Sequence, residues 1–160
     1  MRLLAGAGRG SYADGVDLAK PLPGAGPIEV RPIGRVSSPL TRPADAPRQP
    51  DEGAPSAWLE LDPGLAPALA GLGVGDRVVV VTWLDRADRS TLAVHPRGDR
   101  DRPVLGVFAT RSADRPNPVG LHGARVVAVE GTRVQVDHLE ALDGTPVLDL
   151  KPALGPVDER

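Results

Sequence analysis

The chain is 160 residues long, carries a formal net charge of −2 and contains no cysteine. The length suits one domain with a buried core. The charge excludes a global basic field of the kind that drives nonspecific nucleic-acid binding, and the lack of cysteine excludes thiolate metal sites, disulfides and cysteine nucleophiles.

No segment reaches the roughly 18 apolar residues that a membrane helix needs. No apolar stretch follows a basic start, so no secretory signal is read and a cytoplasmic, soluble protein is the default expectation. Residues 1–27 are rich in Gly, Ala and Pro and read as a flexible N-terminal extension. The run Gly6-Ala-Gly-Arg-Gly10 follows no strand and opens no clear helix, so it is not read as a phosphate loop. The domain proper is expected over 28–160.

Ile28, Val30, Ile33 and Val36 suggest a first strand, broken at Pro32 and Gly34 and therefore at an edge or bulged. Residues 37–56 form a loop with five prolines, long enough to suggest a functional one. Trp58 to Leu61 reads as a short strand. Pro63 to Leu72 reads as a helix, with Asp62 as N-cap and Gly73 beyond its end. Asp76 to Leu84, with four consecutive valines, reads as a central strand buried on both faces. Asp85 to Asp101 is a charged loop, and Val104 to Ala109 reads as a short buried strand. Val119 to Val129 and Thr132 to Leu139 alternate around Glu130-Gly131, a hairpin signal. Asp143-Gly144 marks a further turn and Val147 to Leu150 the last strand. Many short strands with turns between them predict a mainly β fold, an antiparallel barrel or sandwich.

The candidate chemistry lies at strand ends. Arg111 and Arg115, four apart in a proline-containing loop with Asn117, suit a carboxylate or phosphate; surface pairing with Asp114, Asp99 or Asp101 is the plainer alternative. Arg48 and Gln49 sit between Pro47 and Pro50, which stiffen the backbone and lower the entropy lost on gripping a ligand. Asp143 and Gly144 also suit ordinary turn chemistry. Asp149 and Lys151 share one strand face, as a solvated ion pair or as a pocket wall. His95, His122 and His138 lack metal-ligand spacing and read as surface or loop histidines, so no metal is expected. Residues 85–115 hold seven arginines against five aspartates, a slightly basic stretch that a solvated mixed-charge face also explains.

Taken together, Gly34-Arg-Val-Ser-Ser-Pro39, Pro47-Arg-Gln-Pro50, Val94-His-Pro-Arg-Gly98, Gly106-Val-Phe-Ala-Thr-Arg-Ser112, Arg115-Pro-Asn-Pro-Val-Gly-Leu121 and Leu142-Asp-Gly-Thr-Pro-Val-Leu-Asp-Leu-Lys-Pro152 resemble the TsaA-like family of TrmO tRNA methyltransferases. The blocks occur in the family's order over residues 28–152. The resemblance implies a small, dimeric antiparallel β-barrel with short helices that binds S-adenosylmethionine at or near the dimer interface. It also implies methylation of a nitrogen on threonylcarbamoyl-adenosine beside the tRNA anticodon. Carried over by resemblance, Pro47, Arg48, Gln49, Arg111, Leu139 and the turn Asp143, Gly144, Thr145, Pro146 line the cofactor site. Arg115, Asn117 and Lys151 fall toward the substrate, and Asp149 is placed to assist proton removal. Where family members carry an aromatic-rich strand ending in His or His-Gln, this chain has Asp85 and Arg86, which occupy the place where cofactor contacts fall and are assigned to cofactor binding by resemblance. Two alternatives stand beside this reading: the same cofactor with a small-molecule acceptor, and a module that binds the cofactor without catalysis.

Overall fold

A computed structural model describes residues 28–47 and 52–155. The extension at 1–27, including the glycine-rich run, lies outside the described residues, as do Arg48 and Gln49. Eight strands form among the described residues: β1 (Gly34–Ser37), β2 (Ala57–Leu61), β3 (Arg77–Trp83), β4 (Ala93–Val94), β5 (Leu105–Gly106), β6 (Val119–Glu130), β7 (Arg133–Val136) and β8 (Pro146–Pro152). Six of them pair antiparallel in the order β1-β2-β7-β6-β3-β8. Because β8 pairs with β1 as well as with β3, the sheet closes on itself as a barrel. Closure leaves no ladder edge along these strands. β4 and β5 form a separate two-stranded piece.

Period-two alternation fills the interior. Val36, Leu59, Val78, Val80, Val126, Val134, Val136 and Val147 are buried, together with Leu139 from the segment after β7. Each such side chain contributes about 1.5–3 kcal/mol by leaving water.

The mainly β expectation holds, and several local expectations are corrected. The first strand covers only Gly34–Ser37; Pro32 cannot donate to a ladder, while the Ile33 amide donates to the Val147 carbonyl and its carbonyl accepts from the Asp62 amide. Residues 63–69 form a 3-10 segment, not an α-helix, because Pro67 inside it removes a donor that an α-helix needs; Asp62 still caps it, accepting from the Gly64 amide at 2.8 Å. The valine-rich strand is buried on one face only: Val78, Val80 and Thr82 point inward, whereas Val79, Val81 and Trp83 are half-buried on the outer wall. The strand expected at Val104 to Ala109 is two exposed residues followed by a 3-10 turn, in which Val107 is buried and Phe108 is 86% exposed. β7 ends at Val136, since His138 adopts a positive φ of 46° that no strand continues.

Candidate functional site

The turn at Leu142 to Thr145 is closed by a Thr145 amide to Leu142 carbonyl bond of 3.1 Å, and its third residue, Gly144, has φ of 79°. That conformation favours glycine. The turn is fastened to the end of β1 on both sides. The Asp143 amide donates to Leu40 (2.7 Å), the Gly144 amide to Val36 (2.8 Å), and the Ser38 amide donates to Asp143 Oδ1 (3.0 Å). Arg35 Nη1 donates to the Gly144 carbonyl at 3.0 Å. Arg86, just beyond β3, then bridges two segments: Nη1 donates to the Thr41 carbonyl and Nη2 to the Asp143 carbonyl, each at 3.1 Å. The loop leading to Pro47, the Asp85-Arg86 pair and the Asp143–Pro146 turn therefore meet at one end of the barrel. Asp85 is exposed there, and its carboxylate has no side-chain partner among the described residues. Thr145 and Pro146 are buried, so this part of the turn presents backbone rather than side chain.

A second group lies on the outer wall. Arg111 is exposed and makes no hydrogen bond or ion pair among the described residues; with Arg77, Val79, Leu121 and Gly123 it lines a cavity of about 190 Å³. Leu121 is 54% exposed. By contrast Leu139, placed at the site by resemblance, is fully buried in the barrel core, with its amide bonded to Pro55. Its side chain therefore meets no ligand, and the apolar residue standing beside Arg111 is Leu121.

Arg115 is also reassigned. Its Nε donates to the Ser112 carbonyl at 2.7 Å, and Nη2 to the carbonyls of Thr110 (2.6 Å) and Val107 (3.1 Å). With Nε and Nη2 bonded to three carbonyls, the guanidinium organises the loop that carries Arg111 and leaves Nη1 as its remaining donor. The neighbouring loop is stitched to it. Arg89 Nε donates to the Pro116 carbonyl at 3.0 Å while lying over the Trp83 ring, and the Asp88 amide donates to Asp114 at 2.8 Å. Bonds from the Ser90 hydroxyl, the Ser90 amide and the Thr91 hydroxyl hold the Asp88 carboxyl below the usual carboxylate range. Asn117 is exposed, and its carbonyl accepts from the Val119 amide. Asp149 and Lys151 form an ion pair with each other at 2.7 Å on the outer wall, opposite Val81 and Val79 of β3.

His122 departs most from expectation. It is not a surface histidine but a core one, 5% exposed, with Nε2 2.9 Å from Thr82 Oγ1 and Nδ1 2.8 Å from Glu140 Oε1. Glu140 Oε2 is buried without a hydrogen-bond partner among the described residues. The signal was in the alternation: His122 is in phase with inward-facing Gly120 and Val126. No helix among the described residues is long and apolar enough to cross a membrane, and no group of three or more His, Asp or Glu side chains among them is arranged to hold a metal.

Comparison with known proteins adds to this geometry. Residues 35–159 match the family described as the tRNA-methyltransferase O N-terminal domain. A probable S-adenosyl-L-methionine-binding protein of Methanothermobacter thermautotrophicus is 39% identical over 131 residues, covering 82% of this chain and 93% of the relative. An S-adenosyl-L-methionine-binding protein of Archaeoglobus fulgidus is 38% identical over 122 residues, covering 76% and 86%. The crystal structure of TrmO from Pseudomonas aeruginosa superposes with a TM-score of 0.68 at 34% identity, over 84% of this chain and 59% of that one. The chain thus spans well under two thirds of that crystallised protein.

Proposed function

The chain belongs to the tRNA-methyltransferase O N-terminal domain family, and we propose that it is an S-adenosylmethionine-dependent methyltransferase acting on tRNA. At finer detail, the proposed acceptor is a nitrogen of threonylcarbamoyl-adenosine next to the anticodon, and the proposed working form is a homodimer in the cytoplasm. The domain proper is assigned to 28–160, with 1–27 as an extension.

The observation that carries the reading is the convergence of Thr41, Arg86 and Asp143 at one barrel end through the Arg86 bridge. Three segments far apart in sequence are drawn together there, with the exposed Asp85 beside them. S-adenosylmethionine supplies an electrophilic methyl on a cationic sulfonium. A carboxylate without a side-chain partner among the described residues, such as Asp85, fits that cation or the ribose hydroxyls, and a guanidinium without one among them, such as Arg111, fits the ligand's carboxylate. Leu121 joins the assignment in place of Leu139.

Arg111 and the Asp143 turn sit apart on one protomer. Val79, beside Arg111, is four residues from Trp83, roughly 13 Å along β3, and Arg86 lies farther still. A second copy supplies the missing half. The outer wall of β3 and β6, with Val119 41% and Leu121 54% exposed beside half-buried Val79 and Val81, is the face we assign to it.

Methyl transfer is an in-line displacement, so orientation alone accounts for about 7–11 kcal/mol in favourable cases. The chain's contribution is accordingly to hold the donor rigidly through the fastened turn and to exclude water with the partner's wall. Incubation of the protein and labelled S-adenosylmethionine with tRNA, with and without the threonylcarbamoyl group, tests the reading. Transfer that requires that group supports it; transfer only to small metabolites moves the acceptor to a small molecule, and cofactor binding without transfer to any acceptor leaves a non-catalytic module.

A further inference from the structure

Residues 84–118 leave and rejoin the barrel at one end. β3 stops at Trp83 and β6 starts at Val119, and these two residues are directly paired. That is the end where Arg86 bridges Thr41 and Asp143. Within this excursion β4 and β5 form their own two-stranded piece, which buries little beyond Val107 and Pro118. A segment held in place with so little core of its own is where function concentrates.

His95 follows β4 and precedes the turn Pro96–Gly98. Its Nδ1 lies 2.9 Å from the Arg102 carbonyl. A carbonyl only accepts, so Nδ1 carries a proton, and in the neutral ring Nε2 holds a lone pair. That Nε2 has no hydrogen-bond partner among the described residues. The turn beside it is strained: Arg97 has φ of 59° without being glycine, and such residues cluster at active sites. Arg97 Nη1 donates to Glu52 at 3.3 Å, in the segment that leads into β2, whose first residues pair with the end of β1. The Val107 amide donates to the Leu92 carbonyl at 3.0 Å and couples β4 to the loop that carries Arg111. His95 is thereby joined to the proline-rich loop on one side and to the Arg111 loop on the other.

The other candidates for proton transfer are engaged or distant. His122 is buried with both ring nitrogens bonded. His138 stands with Arg77 at the opposite end of β3. Asp149 accepts from the Leu150 amide on Oδ1 and holds Lys151 on Oδ2.

We infer that His95 Nε2 is the general base of the methyl transfer. This rests on the methyltransferase reading and takes the proton-accepting role from Asp149. An amide-like acceptor nitrogen has a delocalised lone pair and carries a proton, so a base is needed as it reacts. In the step, the N–CH3 bond forms while the S–CH3 bond breaks. The electron pair of the broken bond goes to sulfur, which becomes a neutral thioether, and the N–H proton passes to Nε2. The imidazolium keeps its Nδ1 bond to Arg102 and then releases the new proton to water. The charged side chains of the lobe are Arg97, held on Glu52, Arg102, held on Asp99 at 3.2 Å, and the exposed Arg100 and Asp101. Their charges cancel in pairs, so a pH dependence lost with the imidazole belongs to the ring.

The test is single-turnover transfer from labelled S-adenosylmethionine to tRNA bearing the threonylcarbamoyl group, with the full chain, as a function of pH. The wild-type rate is expected to rise with pH across the imidazole range. His95→Asn keeps an amide donor for the Arg102 carbonyl. It is expected to slow transfer about 100-fold and to flatten that rise, with S-adenosylhomocysteine and tRNA affinities unchanged. A second measurement needs no variant: diethyl pyrocarbonate is expected to modify His95 in the wild type, and S-adenosylhomocysteine with tRNA to protect it. A wild-type rate and pH profile in His95→Asn would overturn the inference, as would a rate loss matched by an equal loss of ligand affinity. Modification of His95 that the ligands leave undiminished would also overturn it. A wild type that transfers to no acceptor defeats the methyltransferase reading and the base together, whereas an unaffected His95→Asn defeats the base alone.

Discussion

The Nε2 atom of His122 stands 2.9 Å from the hydroxyl of Thr82, in an interior where Thr82 is fully buried. With Glu140 on the other ring nitrogen, the order is hydroxyl, imidazole, carboxylate, which on a surface would suggest a nucleophile. Burial excludes that role, since no substrate reaches Thr82. The chain of bonds instead ties β3 and β6 to the segment that leads into the Asp143 turn.

Gly120 is the residue that permits this contact. Gly120→Ala is expected to destabilise the fold by about 1–3 kcal/mol, because a Cβ collides with the Thr82–His122 bond. Chemical denaturation measures it. An unchanged midpoint would mean that the buried bond is dispensable.

Arg86 bridges the Thr41 and Asp143 carbonyls from an exposed position, so its loss concerns the site more than the core. Arg86→Ala is expected to shift stability by less than about 1 kcal/mol while weakening S-adenosylhomocysteine binding several-fold. Arg86→Lys recovers little, because one ammonium on a flexible stem replaces a planar fork. Full binding by either variant would remove Arg86 from the site.

Arg115 gathers the carbonyls of Val107, Thr110 and Ser112. Arg115→Ala is expected to loosen residues 107–115 and to expose them to limited proteolysis, with a smaller loss of overall stability. Arg111, which that loop carries, then binds ligand less well. A digestion pattern identical to the wild type would contradict the organising role.

Leu121 stands at the centre of the wall assigned to the second copy. Leu121→Asp places a charge in that face and is expected to shift the protein from dimer to monomer in sedimentation velocity, and to weaken ligand binding with it. A wild-type monomer, or a variant that remains dimeric, would contradict the shared site.

Much of the barrel was legible because its strands are short and alternate, and because Gly131 and Gly144 punctuate them. The failures have local causes. The four valines of β3 read as buried on both faces, but barrel closure puts Val79 and Val81 on the outside. Pro67 sits inside a stretch where an α-helix pattern looked plausible, yet it denies that helix a donor. The site was legible as a set of residue types and motif blocks, not as an arrangement. Nothing in the sequence says that Arg115 spends its donors on its own loop, that Leu139 points inward, or that Arg77 and Arg125 stand directly opposed. The last follows from pairing register and the other two from loop conformation, both of which a single sequence leaves open.

The most direct measurement is calorimetric titration of the purified chain with S-adenosylhomocysteine, beside Arg111→Ala. The account predicts micromolar binding by the wild type and a loss on the order of 1.5–3 kcal/mol in the variant, the value of a charge-assisted bond. No binding by the wild type, or equal binding by both, would contradict it.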